Sequence, residues 1–225
     1  MTLLVACGLL REARVIARDG VVVVAGGGDP ERLERELDAA AASAQVILSS
    51  GIAGALDPTL KAGDVVISLL FPGEVGGTFL VGKLYELFPE AYLGAVVGSD
   101  SIVATLAQKT MLRARTGARA VDMESHIAAR VAARHGIPCA ALRTISDTAS
   151  EQLPPAALLG MKPDGTMALG AVLGSLARNP RQLPALLRTG IGAERAFRAL
   201  GRCHNALARA RVGELDFLEF ALDVG

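Results

Sequence analysis

Short apolar runs alternate with stretches of helical period along the first two thirds of the chain. Leu3 to Cys7 and Val21 to Val24 are β-rich runs closed by glycine, and a helical pattern follows the second. Its start is well marked: Asp29 can cap the free amides, Pro30 suits the first turn, and Leu33 with Leu37 begins a buried stripe. Val46 to Leu48 and Val65 to Leu69 are apolar enough for interior strands. Residues 71 to 100 carry many Gly and Pro breaks and only a weak helical pattern, which predicts irregular structure. Ala120-Val121 leads into a helix with Met123, Ile127 and Val131 at steps of four, and Ile137 to Leu142 reads as a further strand. Beyond Pro154 the pattern is helical, interrupted by Pro163, Pro180 and Pro184. Strands alternating with helices predict an α/β fold, a three-layer α/β/α sandwich around a central mixed sheet with a helical C-terminal extension. The 225 residues fit a single domain, 1–225, with a core over 1–150 and a mainly helical part over 151–225.

Composition sharpens the fold class and removes some functions. Hydrophobic residues make up 51% and charged residues 20%, which excludes a disordered chain. Basic and acidic side chains balance at 23 each, and with 4% aromatics and no Trp the chain offers few stacking platforms, so no nucleic-acid partner is expected. Three cysteines, at 7, 139 and 203, provide neither a disulfide framework nor a CxxC pair, in keeping with a reducing, cytoplasmic location. The start, through Cys7, reads as a first strand rather than a signal peptide, and no apolar run reaches the ~20 residues of a membrane span. No His/Cys/Asp cluster has metal-ligand spacing, so no bound metal is expected.

Candidate chemistry gathers where strands end. Gly8, Gly26 to Gly28, and Ser49-Ser50-Gly51 with Gly54 make small-residue turns of the kind that let backbone amides approach an anion or a sugar. Gly26-Gly27-Gly28-Asp29-Pro30-Glu31 has Glu31 in place of the third glycine of a dinucleotide fingerprint, which argues against a nicotinamide enzyme. Two acidic segments carry more information: Val121-Asp122-Met123-Glu124-Ser125 entering a helix, and Arg143-Thr144-Ile145-Ser146-Asp147-Thr148 leaving a strand. Glu124, in a first helical turn, is expected to be ionised and able to accept from a sugar diol. Asp147, after an apolar strand, is expected in a partly desolvated crevice as a general acid. An ordinary helix charge and a turn-forming Asx residue explain the two equally well from spacing alone.

With its segments Gly51-Ile-Ala-Gly-Ala-Leu-Asp-Pro-Thr-Leu-Lys-Ala-Gly-Asp-Val-Val-Ile67, Val121-Asp-Met-Glu-Ser125 and Arg143-Thr-Ile-Ser-Asp147, the chain resembles the nucleoside phosphorylase and nucleosidase superfamily over roughly residues 3 to 150. Leu153-Pro-Pro-Ala and Lys162-Pro-Asp-Gly resemble its hopanoid-associated phosphorylase branch. The resemblance implies cleavage of a purine N-ribosidic bond, through an oxocarbenium-like sugar and an electron-rich departing base. It gives Asp147 the proton or hydrogen bond to purine N7, Glu124 the ribose hydroxyls and Met123 the sugar, with Ser146, beside the acid, as a further substrate-binding residue. Ile102 and Val103 line the base pocket, with an aliphatic side chain where nucleosidases have an aromatic. By the same resemblance Glu12 or Arg11, in the loop expected after the first strand, lies where the family orients the attacking water or phosphate.

The resemblance further implies a small nucleoside substrate, lipid-linked if the narrower branch holds (adenosylhopane), no organic cofactor, inorganic phosphate as favoured co-substrate, and a homo-oligomer. Ser49 and Ile52 replace the arginine and hydroxyl typical of phosphorolytic relatives. Arg11, Ser50 and the amides of Gly8, Gly27 and Gly51 offer an alternative phosphate site. Water, as in the methylthioadenosine/S-adenosylhomocysteine nucleosidases, is the rival nucleophile. A non-catalytic nucleoside- or lipid-binding module on the same fold is the reading from another class.

The remaining polar features have milder readings. His126, His135 and His204 are expected in structural or solvent roles. Between Arg178 and Arg211 eight arginines face one acid, Glu194. Arg195, Arg198, Arg202 and Arg209 share one helix face beside a stripe of Phe197, Leu200 and Leu207, as in a helix that lies on a membrane surface, although such a face is commonly just solvated.

Overall fold

The computed structural model describes residues 3–73, 76–160 and 168–210; Lys162-Pro-Asp-Gly and Arg211 lie outside them. In chain order the elements are β1 (Leu3–Cys7), α1 (Leu10–Ile16), β2 (Val21–Ala25), α2 (Pro30–Ala41), β3 (Val46–Ala55), β4 (Val65–Phe71), α3 (Gly77–Leu87), β5 (Tyr92–Leu93), β6 (Val96–Gly98), α4 (Leu106–Thr116), β7 (Ala120–Asp122), α5 (Ser125–His135), β8 (Cys139–Asp147), α6 (Pro155–Gly160), α7 (Leu169–Arg178) and α8 (Leu183–Arg209). The strands form one mixed sheet in the order β2-β1-β3-β8-β4-β5, with β7 joining the far end of β3 and β6 joining β7. β1, β2, β3 and β8 are parallel, whereas β4 runs antiparallel to β8.

Alternation along β1 builds the three layers. Leu3, Val5 and Cys7 face a core that includes Leu84, Phe197 and Leu200, while Leu4 and Ala6 face Leu33, Leu37, Ile127 and Val131 of α2 and α5. Arg130 and Arg134 tie α5 to Glu34 of α2, and His135 meets Asp38 at 3.2 Å. Asp29 caps α2 as expected, accepting from the Arg32 amide at 3.0 Å.

Three expectations change. Residues 71 to 100 hold α3, β5 and β6, because Leu80 and Leu84, four apart, are buried in the core despite the surrounding glycines. The segment after β1 is a helix, α1, not a loop. The stripe Phe197, Leu200 and Leu207 of α8 packs into the core, so it is not an outward membrane face; Arg195, Arg198, Arg202 and Arg209 are exposed opposite it.

α8 crosses the end of β8 so closely that a Cβ on Gly192 would press into the Ser146 carbonyl oxygen, whereas a Cβ on Gly190 meets nothing within 4 Å. Helix propensity favours alanine over glycine by about 1 kcal/mol at either position. Gly190→Ala is therefore expected to raise the melting temperature and Gly192→Ala to lower it, and thermal unfolding of the two variants checks the pair.

Candidate active site

A cavity of about 160 Å³ opens where β1, β3, β7 and β8 end. Gly8 and Leu9 follow β1, Glu12 comes from the first turn of α1, and Ile52 to Gly54 come from β3. Val121 to Glu124 span the junction of β7 and α5, Ser146 and Asp147 close β8, and Ser101 to Val103 and Leu153 complete the wall. Glu12, Met123, Glu124, Ser146, Asp147, Ile102, Val103 and Gly8 thus share one cavity, although the sequence scatters them over more than 130 positions.

At the closed end stands Arg143, fully buried in the middle of β8. Its Nε lies 2.6 Å from Asp122 Oδ2, Nη1 lies 3.2 Å from Glu124 Oε2, and Nη2 donates to Ser49 Oγ at 2.5 Å. A buried guanidinium requires anionic company, and here it gathers two carboxylates of one short segment, Asp122 and Glu124. Asp122 also accepts the amides of Glu124 and Ser125 and the Ser125 hydroxyl, so Asp122, not Glu124, satisfies the start of α5. Glu124 is thereby free to reach across to Gly8. Burial pushes its carboxyl up to about 8; Arg143 pulls against this, while Asp122 and Glu12 add to the rise. Burial and the two neighbouring acids thus oppose the ionised form expected at a helix start, while the Arg143 guanidinium favours it.

Glu12 is buried and holds three backbone donors. Oε2 accepts from Gly8 and Leu9 at 2.8 Å each, and Oε1 from Ile52 at 2.8 Å. Burial raises its proton affinity, and these amides with Arg143 oppose the rise. Gly51 permits the arrangement, since a Cβ there would stand 2.6 Å from Glu12 Oε1 and 2.8 Å from Arg143 Nη1.

Asp147 has a partner that no sequence feature signalled. The Lys109 ammonium, on α4, pairs with Oδ2 in the interior, while the Ser146 hydroxyl donates to Oδ1 at 2.7 Å.

The residues proposed for an alternative phosphate site do not converge. Arg11 lies outside the cavity, half exposed, paired with Glu194 at 2.6 Å and stacked on Phe197. The Gly27 amide donates to the Gly8 carbonyl at 2.7 Å, closing the turn, and the Ser50 hydroxyl faces His204. Gly51 backs onto Glu12 rather than lining the cavity. Beside Gly26 and Gly28 the available cavity is only about 20 Å³, room for a water and not for a dinucleotide. Among the described residues no group of three or more His, Cys, Asp or Glu is placed to hold a metal ion, and no helix is long and apolar enough to cross a membrane.

His126 meets Asp100 at 2.9 Å at the surface. His204 is buried, with Nε2 2.8 Å from Ser50 Oγ, and burial beside Arg18 drives its pKa down to about 3. A folded-state value below the unfolded one means that acid loads the unfolded chain first. Stability is lost as pH falls from about 6.5 towards 3, at up to about 1.4 kcal/mol per pH unit from this group. His204→Gln is expected to flatten that slope, which urea unfolding at pH 7 and pH 5 measures.

The model of the phosphorylase superfamily matches residues 78–176, a stretch that carries Lys109, Asp122, Met123, Glu124, Arg143 and Asp147. Over that stretch, under half of its length, the chain is similar to this superfamily. Curated relatives include the aminodeoxyfutalosine nucleosidase of Helicobacter pylori, 28% identical over 133 residues (48% of this chain and 58% of the relative). A 5′-methylthioadenosine/S-adenosylhomocysteine nucleosidase of Staphylococcus aureus is 28% identical over 131 residues (47% and 58%). The matched part thus spans less than two thirds of these relatives. Among solved structures, futalosine hydrolase of Helicobacter pylori superposes with a TM-score of 0.62 at 16% identity, covering 93% of this chain and 98% of that one. The methylthioadenosine/S-adenosylhomocysteine nucleosidase of the same organism gives 0.63 at 18%, covering 96% and 99%. These likenesses establish that the chain shares the α/β fold of those structures.

Proposed function

We propose that the protein hydrolyses the N-ribosidic bond of an adenine-bearing nucleoside, with Glu12 activating water. The observation that carries this reading is the position of the Glu12 carboxylate. It occupies the amides of Gly8, Leu9 and Ile52, the donors a phosphate would need. An oxyanion roughly 4 Å from that carboxylate would meet about 4 kcal/mol of repulsion per pair of unit charges at an effective dielectric of 20. A water molecule meets an acceptor instead, and Glu12 takes its proton as the oxygen attacks C1′. The electron pair of the C1′–N9 bond moves onto the purine, and Asp147 protonates N7. Glu124 holds the ribose hydroxyls, Met123 packs on the sugar, and Ile102 with Val103 covers the base. The acid-rich wall suits the positive sugar of the transition state. This departs from the phosphate favoured on sequence.

The relatives' printed names, which specify methylthioadenosine, adenosylhomocysteine and futalosine-type nucleosides, support the substrate class. A lipid-linked 5′ group such as that of adenosylhopane remains the finer proposal. Leu183, Leu187 and Ile191, each about half exposed in a row on α8 beside exposed Arg188 and Arg195, support it and a peripheral membrane contact. Chromatographic assay of adenine release from 5′-methylthioadenosine, S-adenosylhomocysteine and adenosylhopane tests the reading. Adenine from at least one is expected, and tight binding without release from any would favour the non-catalytic module.

A further inference from the structure

α4 buries one residue completely, and that residue is charged. Lys109 is 1% exposed, while Leu106 and Met111 of the same helix stand at 44% and 56%. An amphipathic helix ordinarily gives its interior position to an aliphatic side chain, and a buried ion pair is a poor substitute as a source of stability. The three protons of Lys109 are all used: one on Asp147 Oδ2, one on the Thr148 carbonyl at 2.6 Å and one on the Glu151 carbonyl at 3.0 Å. The ammonium is thus fixed in direction and lies behind the one carboxyl that faces the base side of the cavity. Ser146 holds the other oxygen, Oδ1, from the front.

We propose that Lys109 is a positioning residue for departure of the purine: it aims the Asp147 carboxyl and stabilises the carboxylate that forms when Asp147 gives up its proton. This rests on the hydrolase reading above. In the step, the Oδ1–H bond breaks and the N7–H bond forms. The C1′–N9 electron pair passes to the purine, and the new negative charge on Asp147 develops against an ammonium already in contact with Oδ2. Lys109 keeps its three protons throughout. Asp147 regains a proton from solvent water once adenine has left, and the proton taken by Glu12 returns to solvent, so one water is consumed per turnover. Ser146 holds Oδ1 between turnovers and yields it to the base.

Leaving-group dependence separates this role from a structural one. 5′-Methylthioadenosine needs its base protonated, whereas 4-nitrophenyl β-D-ribofuranoside expels a stable anion that needs no proton. Lys109→Met is expected to lower kcat on methylthioadenosine by about 100-fold, the low end of a general-acid contribution. On the nitrophenyl riboside the change stays below about threefold, and Lys109→Arg restores much of the purine rate because it keeps the charge. Should Lys109→Met fold poorly, Lys109→Gln, which keeps a polar side chain but not the charge, reads the same purine-to-nitrophenyl rate ratio: a fall against the wild type is expected, and a ratio unchanged from the wild type overturns the proposal. Equal losses on both substrates, or none on either, overturn it and leave the hydrolase reading standing. Failure of the wild-type protein to release adenine while it still cleaves the nitrophenyl riboside removes that reading and the proposal together.

Discussion

Replacing Arg143 with methionine is expected to remove a large part of the chain's folding stability. The guanidinium is completely buried and is the cation shared by Asp122 and Glu124, with Glu12 close by. Removing one partner of a buried pair typically costs about 3–5 kcal/mol, against a total stability of about 5–15 kcal/mol. Here the remaining acids must also take up protons to stay inside. Urea unfolding of Arg143→Met should show a midpoint shifted far down or no cooperative transition, and the loss should shrink at low pH, where protons substitute for the missing cation. A variant as stable as the wild type would mean that the acids do not depend on Arg143.

The second large effect belongs to Glu12→Gln. A carboxylate can accept from Gly8, Leu9 and Ile52 on both oxygens; an amide cannot, because its NH₂ must face at least one backbone N–H. The variant loses the proton acceptor for water and disturbs the loop that holds it. Turnover of 5′-methylthioadenosine is expected to fall by at least about 100-fold, with adenine binding largely kept because the base lies at the Asp147 end of the cavity. Steady-state kinetics with calorimetric titration of adenine separates the two quantities. Loss of binding with unchanged turnover would reverse the roles assigned to the two ends.

The carboxylates were more legible in the sequence than the cations that hold them. Glu124 and Asp147 sit in short segments where a strand gives way to a helix or a loop, and such junctions mark the ligand side of an open α/β sheet. Arg143 was in view within the same segment. A lone arginine inside the apolar run from Ala140 to Ile145 signals buried acids nearby, since a strand covered on both faces offers it no water. Lys109 gave no such sign, because a lysine on a polar helix ordinarily points to solvent. Glu124 faces buried charges as well as a helix start, because Asp122, two residues earlier, supplies the cap that the start needs. In the fold, β1 to β4 follow from apolar runs and glycine stops. α3 depends on a tertiary contact, the burial of Leu80 and Leu84, which a local pattern broken by glycines does not reveal.

The central claim is that water, not phosphate, attacks the sugar. Incubating the protein with 5′-methylthioadenosine and millimolar phosphate in water enriched in oxygen-18, then weighing the sugar product by mass spectrometry, tests it most directly. The account predicts 5-methylthioribose labelled with oxygen-18 at C1, formed at the same rate with or without phosphate. 5-Methylthioribose 1-phosphate, formed only when phosphate is present, would contradict it.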